Sequence, residues 1–298
     1  MNIDEMNRSL PFELRWENLT LANDFMFGKV FQDEDLSLEL VRMILPWLDI
    51  ERITLHETQK SAHETVDTHG VRFDVYIHDD AGRIIILEMQ VVKVKYLARR
   101  SRAYHSSADL DARESGRHSG YGDMPEVYVI FICEFDPFGL GRHVYTFRKI
   151  CCEDKELELD DGQTTIFLST KGRDGKIDDR LKAFLDFVEG RTSDDEFVKK
   201  LECRLKYAKH NWRWRREYVL DTLERNSLIQ DAEERGIAIG EERGIIIGEE
   251  RGIIIGEERG RLATVEDTVR LLREHGMNPE QIESIRLSLM TKRGDTQN

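Results

Sequence analysis

The chain has 298 residues, 40 % of them hydrophobic and 34 % charged, which suits one large domain or two modest ones and excludes wholesale disorder. Its formal net charge of −14 argues, taken alone, against a nucleic-acid partner. Its longest apolar runs, residues 84–87 and 127–133, fall well short of the roughly 18 residues that a membrane span needs.

In chain order, the first clear element is a helix over 33–48, where Leu36, Leu40, Ile44 and Leu45 recur at helical spacing behind acids in the first turn. A short strand follows at Ile53–Leu55, then a polar stretch. His56, His63, His69 and, further on, His78 show no metal-ligand spacing and read as solvated loop residues. The strongest pattern is Val71–Ile77, a polar turn over 78–82 ending in Gly82, and Arg83–Gln90: two β-rich runs forming a hairpin. The second run is continuously apolar, as in a strand covered on both faces. Residues 96–115 lack Gly and Pro and read as a basic helix over the sheet. Val127–Cys133, Val144–Phe147 and Thr164–Leu168 read as strands, Leu181–Val188 as a helix, and 194–228 as one or two charged helices.

From Glu233 the chain repeats every eight residues, as Glu-Glu-Arg-Gly-Ile-Ile-Ile-Gly with one Ala variant, and glycine falls at every fourth position from Gly236 to Gly260. As a helix this carries a cost of about 1 kcal/mol per glycine relative to alanine. An octad also drifts by about 80° per repeat against the 3.6-residue turn, so its isoleucines cannot keep one face. The Glu-Glu-Arg blocks nonetheless favour helix, and the pattern suits a spacer or self-association element. Residues 262–292 read as a helical hairpin, with Gly276 as C-cap and Pro279 in the next first turn.

Local charge departs from the total. Residues 91–120 hold seven bases against three acids, and 199–216 hold eight bases against Glu202 alone; residues 1–40 hold nine acids and three bases. A phosphate backbone senses charge within about a Debye length, ~8–10 Å, so two basic segments on an acidic chain are compatible with DNA, although each also fits a solvated face. Trp212 and Trp214 among Arg213, Arg215 and Arg216 suit either base stacking or helix packing. The start Met1-Asn2-Ile3-Asp4-Glu5 lacks a secretory pattern, and Cys133, Cys151, Cys152 and Cys203 have no CxxC spacing. The expected setting is a reducing cytoplasm.

The hairpin carries the chemistry. Glu88 and Gln90, two apart in a strand, leave the sheet on one face, and Asp74 lies across the hairpin. A Glu inside Ile-Ile-Ile-Leu-Glu-Met-Gln-Val-Val is costly to bury without a partner or cation. Two adjacent carboxylates suit a hard divalent ion, which binds through one or two carboxylates plus water and phosphate oxygens. The plain alternative is a pair of salt bridges to Arg72 or Arg102.

Asp-x(13)-Glu-Met-Gln in a hairpin followed by a basic helix resembles the PD-(D/E)XK nuclease superfamily, and within it the Rpn family of recombination-promoting nucleases, also described as PD-(D/E)XK transposases. The resemblance extends over Asn23-Asp24-Phe25-Met26-Phe27, Arg100 and Tyr104, the stretch from Gly120-Tyr121 to Phe138, Phe184–Phe187, and Trp214–Tyr218, covering about residues 18–262. It implies an α/β fold: a restriction-endonuclease-like mixed sheet flanked by helices, with a helical C-terminal extension. The domains it suggests are a nuclease-like domain over 1–190, a basic helical extension over 191–230, the octads over 231–261, and a small helical hairpin and tail over 262–298. It implies an Mg²⁺-dependent (or Mn²⁺-dependent) DNA endonuclease, with Asp74 and Glu88 as metal ligands and Gln90 at the motif's lysine position. Asp24 is preferred as an added acid. Lys93, Lys95, Arg99, Arg100, Arg102 and Tyr104 become candidate DNA contacts. Glutamine can hold a water by hydrogen bonds but brings no charge. Lys93 or Lys95 can replace that charge only if the strand ends before them. The alternative is a weak or inactive nuclease-fold module that binds DNA or protein and oligomerises through its octads.

Overall fold

The computed structural model describes residues 2–62, 71–114 and 120–291. Two compact units divide the chain, residues 1–223 and 224–298. The first contains helices α1 (Ile3–Ser9), α2 (Asp24–Val30), α3 (Glu34–Ile44), α4 (Leu97–Glu114), α5 (Asp179–Val188) and α6 (Glu196–His210). Its strands are β1 (Ile53–Ala62), β2 (Val71–Asp79), β3 (Ile84–Gln90), β4 (Val127–Cys133), β5 (Val144–Phe147) and β6 (Gln163–Ser169). The helix α7 (Trp212–Glu274) starts in the first unit, and α8 (Pro279–Thr291) follows it.

The strands form one mixed sheet in the order β1-β2-β3-β4-β6-β5. The pairs β1–β2, β2–β3 and β5–β6 are antiparallel, whereas β3–β4 and β4–β6 are parallel. Every residue of β3 and β4 is buried, which accounts for the apolar sequence of β4 and of β3 as far as Leu87. Alternation then sorts the side chains onto two faces. Ile85, Leu87, Ile130 and Ile132 join Phe27, Leu40 and Phe184 from α2, α3 and α5, and Phe31 at the C-cap of α2. Ile84, Ile86, Val129 and Phe131 join Tyr104, Ala108 and Ala112 from α4. At roughly 1.5–3 kcal/mol for each fully buried large apolar side chain, these two layers supply most of the drive to fold.

Local signals place the helices against the sheet. Asn23 and Asp33 cap α2 and α3 by accepting from the amides of Met26 and Leu36, and Asp178 and Asp195 cap α5 and α6 in the same way. The hairpin turn is held by Asp79, 1 % exposed, whose carboxylate accepts from the amides of Ala81 and Arg83 and from Arg83 Nε, while Gly82 takes a φ of +80°.

Three expectations are corrected. The apolar pattern predicts a strand only over Ile53–Leu55, but pairing with β2 extends it to Ala62. That places His56 in a strand, half-buried and 3.1 Å from Ser37 Oγ, and His78 in β2, buried with Nε2 3.1 Å from Tyr76 Oη; neither is a solvated loop residue. His63 and His69 lie outside the described residues. The basic run 199–216 does not present its whole charge as free cations, because three of its eight bases pair with the acidic N-terminal segment. Lys200 meets Glu39 at 2.8 Å, Arg204 meets Asp33 at 4.0 Å, and Arg215 meets Asp4 and Glu17 at 2.9 and 3.0 Å. The two opposite local sums thus offset each other in part within the fold. Trp214 packs edge-on to Tyr207 at 6.1 Å, whereas Trp212 is exposed.

In the second unit the octads are helical throughout, and Ile237 and Ile245–Ile247 are among eight isoleucines left 48–63 % exposed. A Cβ built on any glycine from Gly236 to Gly260 meets nothing within 4 Å. The helix ends in a Schellman motif at Gly276, with the amides of Gly276 and Met277 donating to the carbonyls of Arg273 and Leu272. Val265, Val269 and Ile282 then close a small core between α7 and α8. Among the described residues no helix is long and apolar enough to cross a membrane.

Candidate active site

The β2–β3 ladder runs from His78–Ile84 to Val75–Leu87 and stops one residue short of Asp74 and Glu88. Beyond it, side chains replace the rungs. The amide of Asp74 donates to Glu88 Oε1 at 2.9 Å, and the amide of Met89 donates to Asp74 Oδ2 at 2.9 Å. This reciprocal exchange ties each carboxylate to the other's strand. Glu88 is 1 % exposed and Asp74 is 8 % exposed.

Burial of two acids side by side has an electrostatic consequence. Loss of water pushes the Asp74 carboxyl up to about 7, and the nearby Asp24 charge adds to the rise while the Met89 amide opposes it. Glu88 is raised well above its ordinary value by burial first and by Asp74 second. Such a pair is relieved by a proton or by a cation. Two hard oxygen donors suit Mg²⁺ or Mn²⁺, which complete their shells with water and substrate oxygens. Among the described residues no group of three or more His, Cys, Asp or Glu converges, so the two carboxylates are the donor set the geometry offers.

Parity places Glu88 and Gln90 toward α4, and α4 answers both. Tyr104, 2 % exposed, donates its hydroxyl to Glu88 Oε2 at 2.8 Å. Arg100, one turn earlier, donates through Nε and Nη2 to the Tyr104 hydroxyl and through Nη1 to Gln90 Oε1 at 2.8 Å; its Nη2 lies 3.5 Å from Glu88 Oε2. Gln90 Nε2 in turn donates to the carbonyl of Val92 at 2.7 Å. Tyr104 therefore faces the carboxylate from inside the fold, away from any approaching phosphate, while the Arg100 side chain stays 42 % exposed. Neither Arg72 nor Arg102 closes a salt bridge on the acids; Arg102 is exposed.

Asp24, the first residue of α2, accepts from the Phe25 amide and acts on Asp74 through its charge. The strand ends at Gln90, so Lys93 and Lys95 lie beyond it, exposed, and Lys95 and Arg99 sit 5.4 and 5.1 Å from the centroid of the exposed Tyr96 ring.

Gln59 is a residue that sequence reasoning misses. It lies in β1 across from Asp74, between the Thr58–Val75 and Lys60–Phe73 pairs, with a φ of +55°. Its Nε2 is 3.4 Å from both the Asp24 carbonyl and Asp74 Oδ1, tying α2 to the carboxylate. Gly28 leaves room for it: a Cβ there would stand 2.9 Å from Gln59 Nε2. A left-handed glutamine costs of order 1 kcal/mol, and such strain persists where surroundings over-determine it. No periodicity or motif in the sequence marks this position.

No curated protein and no solved structure matches the chain. A family model described as PD-(D/E)XK nuclease family transposase matches residues 21–205. That stretch takes in the whole sheet, the carboxylate pair and the α4 residues that grip it, and by a match of this extent the chain belongs to the PD-(D/E)XK nuclease family of transposases.

Proposed function

We propose that the protein is a metal-dependent DNA endonuclease of the recombination-promoting type, acting in the cytoplasm. The observation that carries this reading is the reciprocal pinning of two buried carboxylates, Asp74 and Glu88, at the point where the β2–β3 ladder stops. In it, Asp74 and Glu88 hold Mg²⁺ or Mn²⁺, with Asp24 adding negative charge nearby. A divalent ion bound there supplies Lewis acidity, lowering the pKa of water and offsetting charge on the scissile phosphate.

The chain's own contribution is position. The Met89 and Asp74 amides fix one oxygen of each carboxylate, and the Tyr104 hydroxyl fixes the second oxygen of Glu88, so the acids are oriented before substrate arrives. Lys93, Lys95, Arg99 and Arg102, all exposed, contact the DNA backbone. The free cysteines among the described residues accord with a reducing compartment. The exposed isoleucines of α7 favour self-association through the octads.

A second reading, a nuclease fold that only binds DNA or protein, is favoured by the glutamine at position 90. Purified full-length protein is expected to nick or linearise supercoiled plasmid with Mg²⁺, and folded Asp74→Ala to leave it intact. Equal inertness of both proteins in Mg²⁺ and Mn²⁺ would overturn the hydrolytic reading in favour of the second.

A further inference from the structure

We propose that Arg100, seated by Gln90, supplies beside the carboxylate pair the fixed positive charge that a lysine at position 90 would carry. This rests on the hydrolytic reading and assigns a further residue to that reaction. Both ends of the Gln90 amide are engaged by the protein, Nε2 on the Val92 carbonyl and Oε1 on Arg100 Nη1. The glutamine is therefore a hook for the guanidinium before it is a ligand for water.

Three contacts define where the guanidinium sits. Nη1 reaches Gln90, while Nε and Nη2 both reach the Tyr104 hydroxyl, which itself donates to Glu88. A planar fork held at three of its nitrogens has one orientation, unlike an ammonium on a flexible stem. Of its five N–H groups, three make these bonds, so one on Nη1 and one on Nη2 remain for Glu88 and for a substrate. Exposure separates this arginine from a purely structural partner: the Arg100 side chain is 42 % exposed and the Glu88 side chain only 2 %. One side of the fork holds the buried acid's shell, and the other opens to where a phosphate would approach. β3 ends at Gln90, before Lys93 and Lys95; of these two lysines, Lys95 lies over the Tyr96 ring, 5.4 Å from its centroid.

An arginine keeps its charge at every working pH, so Arg100 offsets phosphate charge and orients the attacking water without exchanging a proton. Gln90 acts through it and is a positioning residue.

The test uses the full chain, with wild type and Asp74→Ala on plasmid DNA in Mg²⁺ deciding the hydrolytic reading separately. Arg100→Ala should slow cleavage by roughly 10²-fold or more, as loss of one preorganised charge does. The double variant Gln90→Lys/Arg100→Ala should recover at least about tenfold of that loss, because the lysine restores charge at the same place. Gln90→Ala should add little to Arg100→Ala, as expected when one residue works through the other. Calorimetric titration with Mn²⁺ alone gives a readout independent of cleavage. Removing a positive charge 3.5 Å from Glu88 should tighten Mn²⁺ binding by roughly three- to tenfold, whereas loss of a merely structural brace would weaken it or leave it unchanged. Wild-type cleavage by Arg100→Ala overturns the inference while leaving the hydrolytic reading intact. If wild type itself is inert, the Mn²⁺ titration still decides: unchanged or weaker binding in Arg100→Ala overturns the placement of the charge.

Discussion

Replacing Asp74 with Asn removes a charge from a place where the fold pays for holding it. The buried carboxyl titrates near 7 in the folded protein, against an ordinary value of 3.8. Between those values the folded state keeps a proton that the unfolded chain has released, so without a divalent ion wild-type stability falls as pH rises through this window. The penalty is absent below about pH 4 and complete above about pH 7, where 1.36 kcal/mol per unit gives a ceiling of about 4 kcal/mol. An asparagine keeps an acceptor for the Met89 amide and carries no charge, so Asp74→Asn should be more stable than wild type at pH 8 and equal to it near pH 4. Urea unfolding in chelator, followed by tryptophan fluorescence, reads this directly, since Trp16, Trp47, Trp212 and Trp214 all lie in the first unit. Adding Mg²⁺ should close the gap at pH 8 by stabilising wild type alone. A variant less stable than wild type at pH 8, or a difference that does not change with pH, would refute the electrostatic reasoning.

Other perturbations separate strain, turn and helix contributions. Gln59→Gly should match or exceed wild-type thermal stability by relieving the +55° φ while reducing plasmid cleavage, and Gln59→Ala should lose about 1 kcal/mol by keeping the strained backbone without its hydrogen bonds. Asp79→Ala should cost about 2–4 kcal/mol in urea unfolding, because it strips a buried acceptor of two amides and one guanidinium from the hairpin turn. Gly244→Ala and Gly252→Ala, whose new methyl groups meet nothing, should each raise helicity with a gain of up to about 1 kcal/mol, read at 222 nm. If those glycines instead form a close seam between copies, the same variants lower the mass measured by light scattering.

What the sequence discloses follows from the range of the interactions involved. The β2–β3 hairpin is legible because its turn chemistry and alternation are local: Gly82 and Asp79 close the turn, and parity alone sends Glu88 and Gln90 toward the same helix. The break at Gly276 and Pro279 is legible for the same reason. By contrast, β1 hides because most of its length, His56 to Ser61, is polar edge strand with no alternation to read. The seven residues of α2 span barely two turns, too few for a period to register. The charge of 199–216 misleads because a local sum cannot know that Asp4, Glu17, Asp33 and Glu39 fold back onto it. Gln59 and the Arg100–Gln90 contact depend on long-range placement, and residue type carries no trace of either.

The central claim is that Asp74 and Glu88 together hold a divalent ion. Anomalous difference scattering from crystals soaked in Mn²⁺ locates such an ion without reference to activity. The account predicts a peak within coordination distance of both carboxylates, lost in Asp74→Asn; a peak elsewhere on the chain, or none at saturating Mn²⁺, would contradict it.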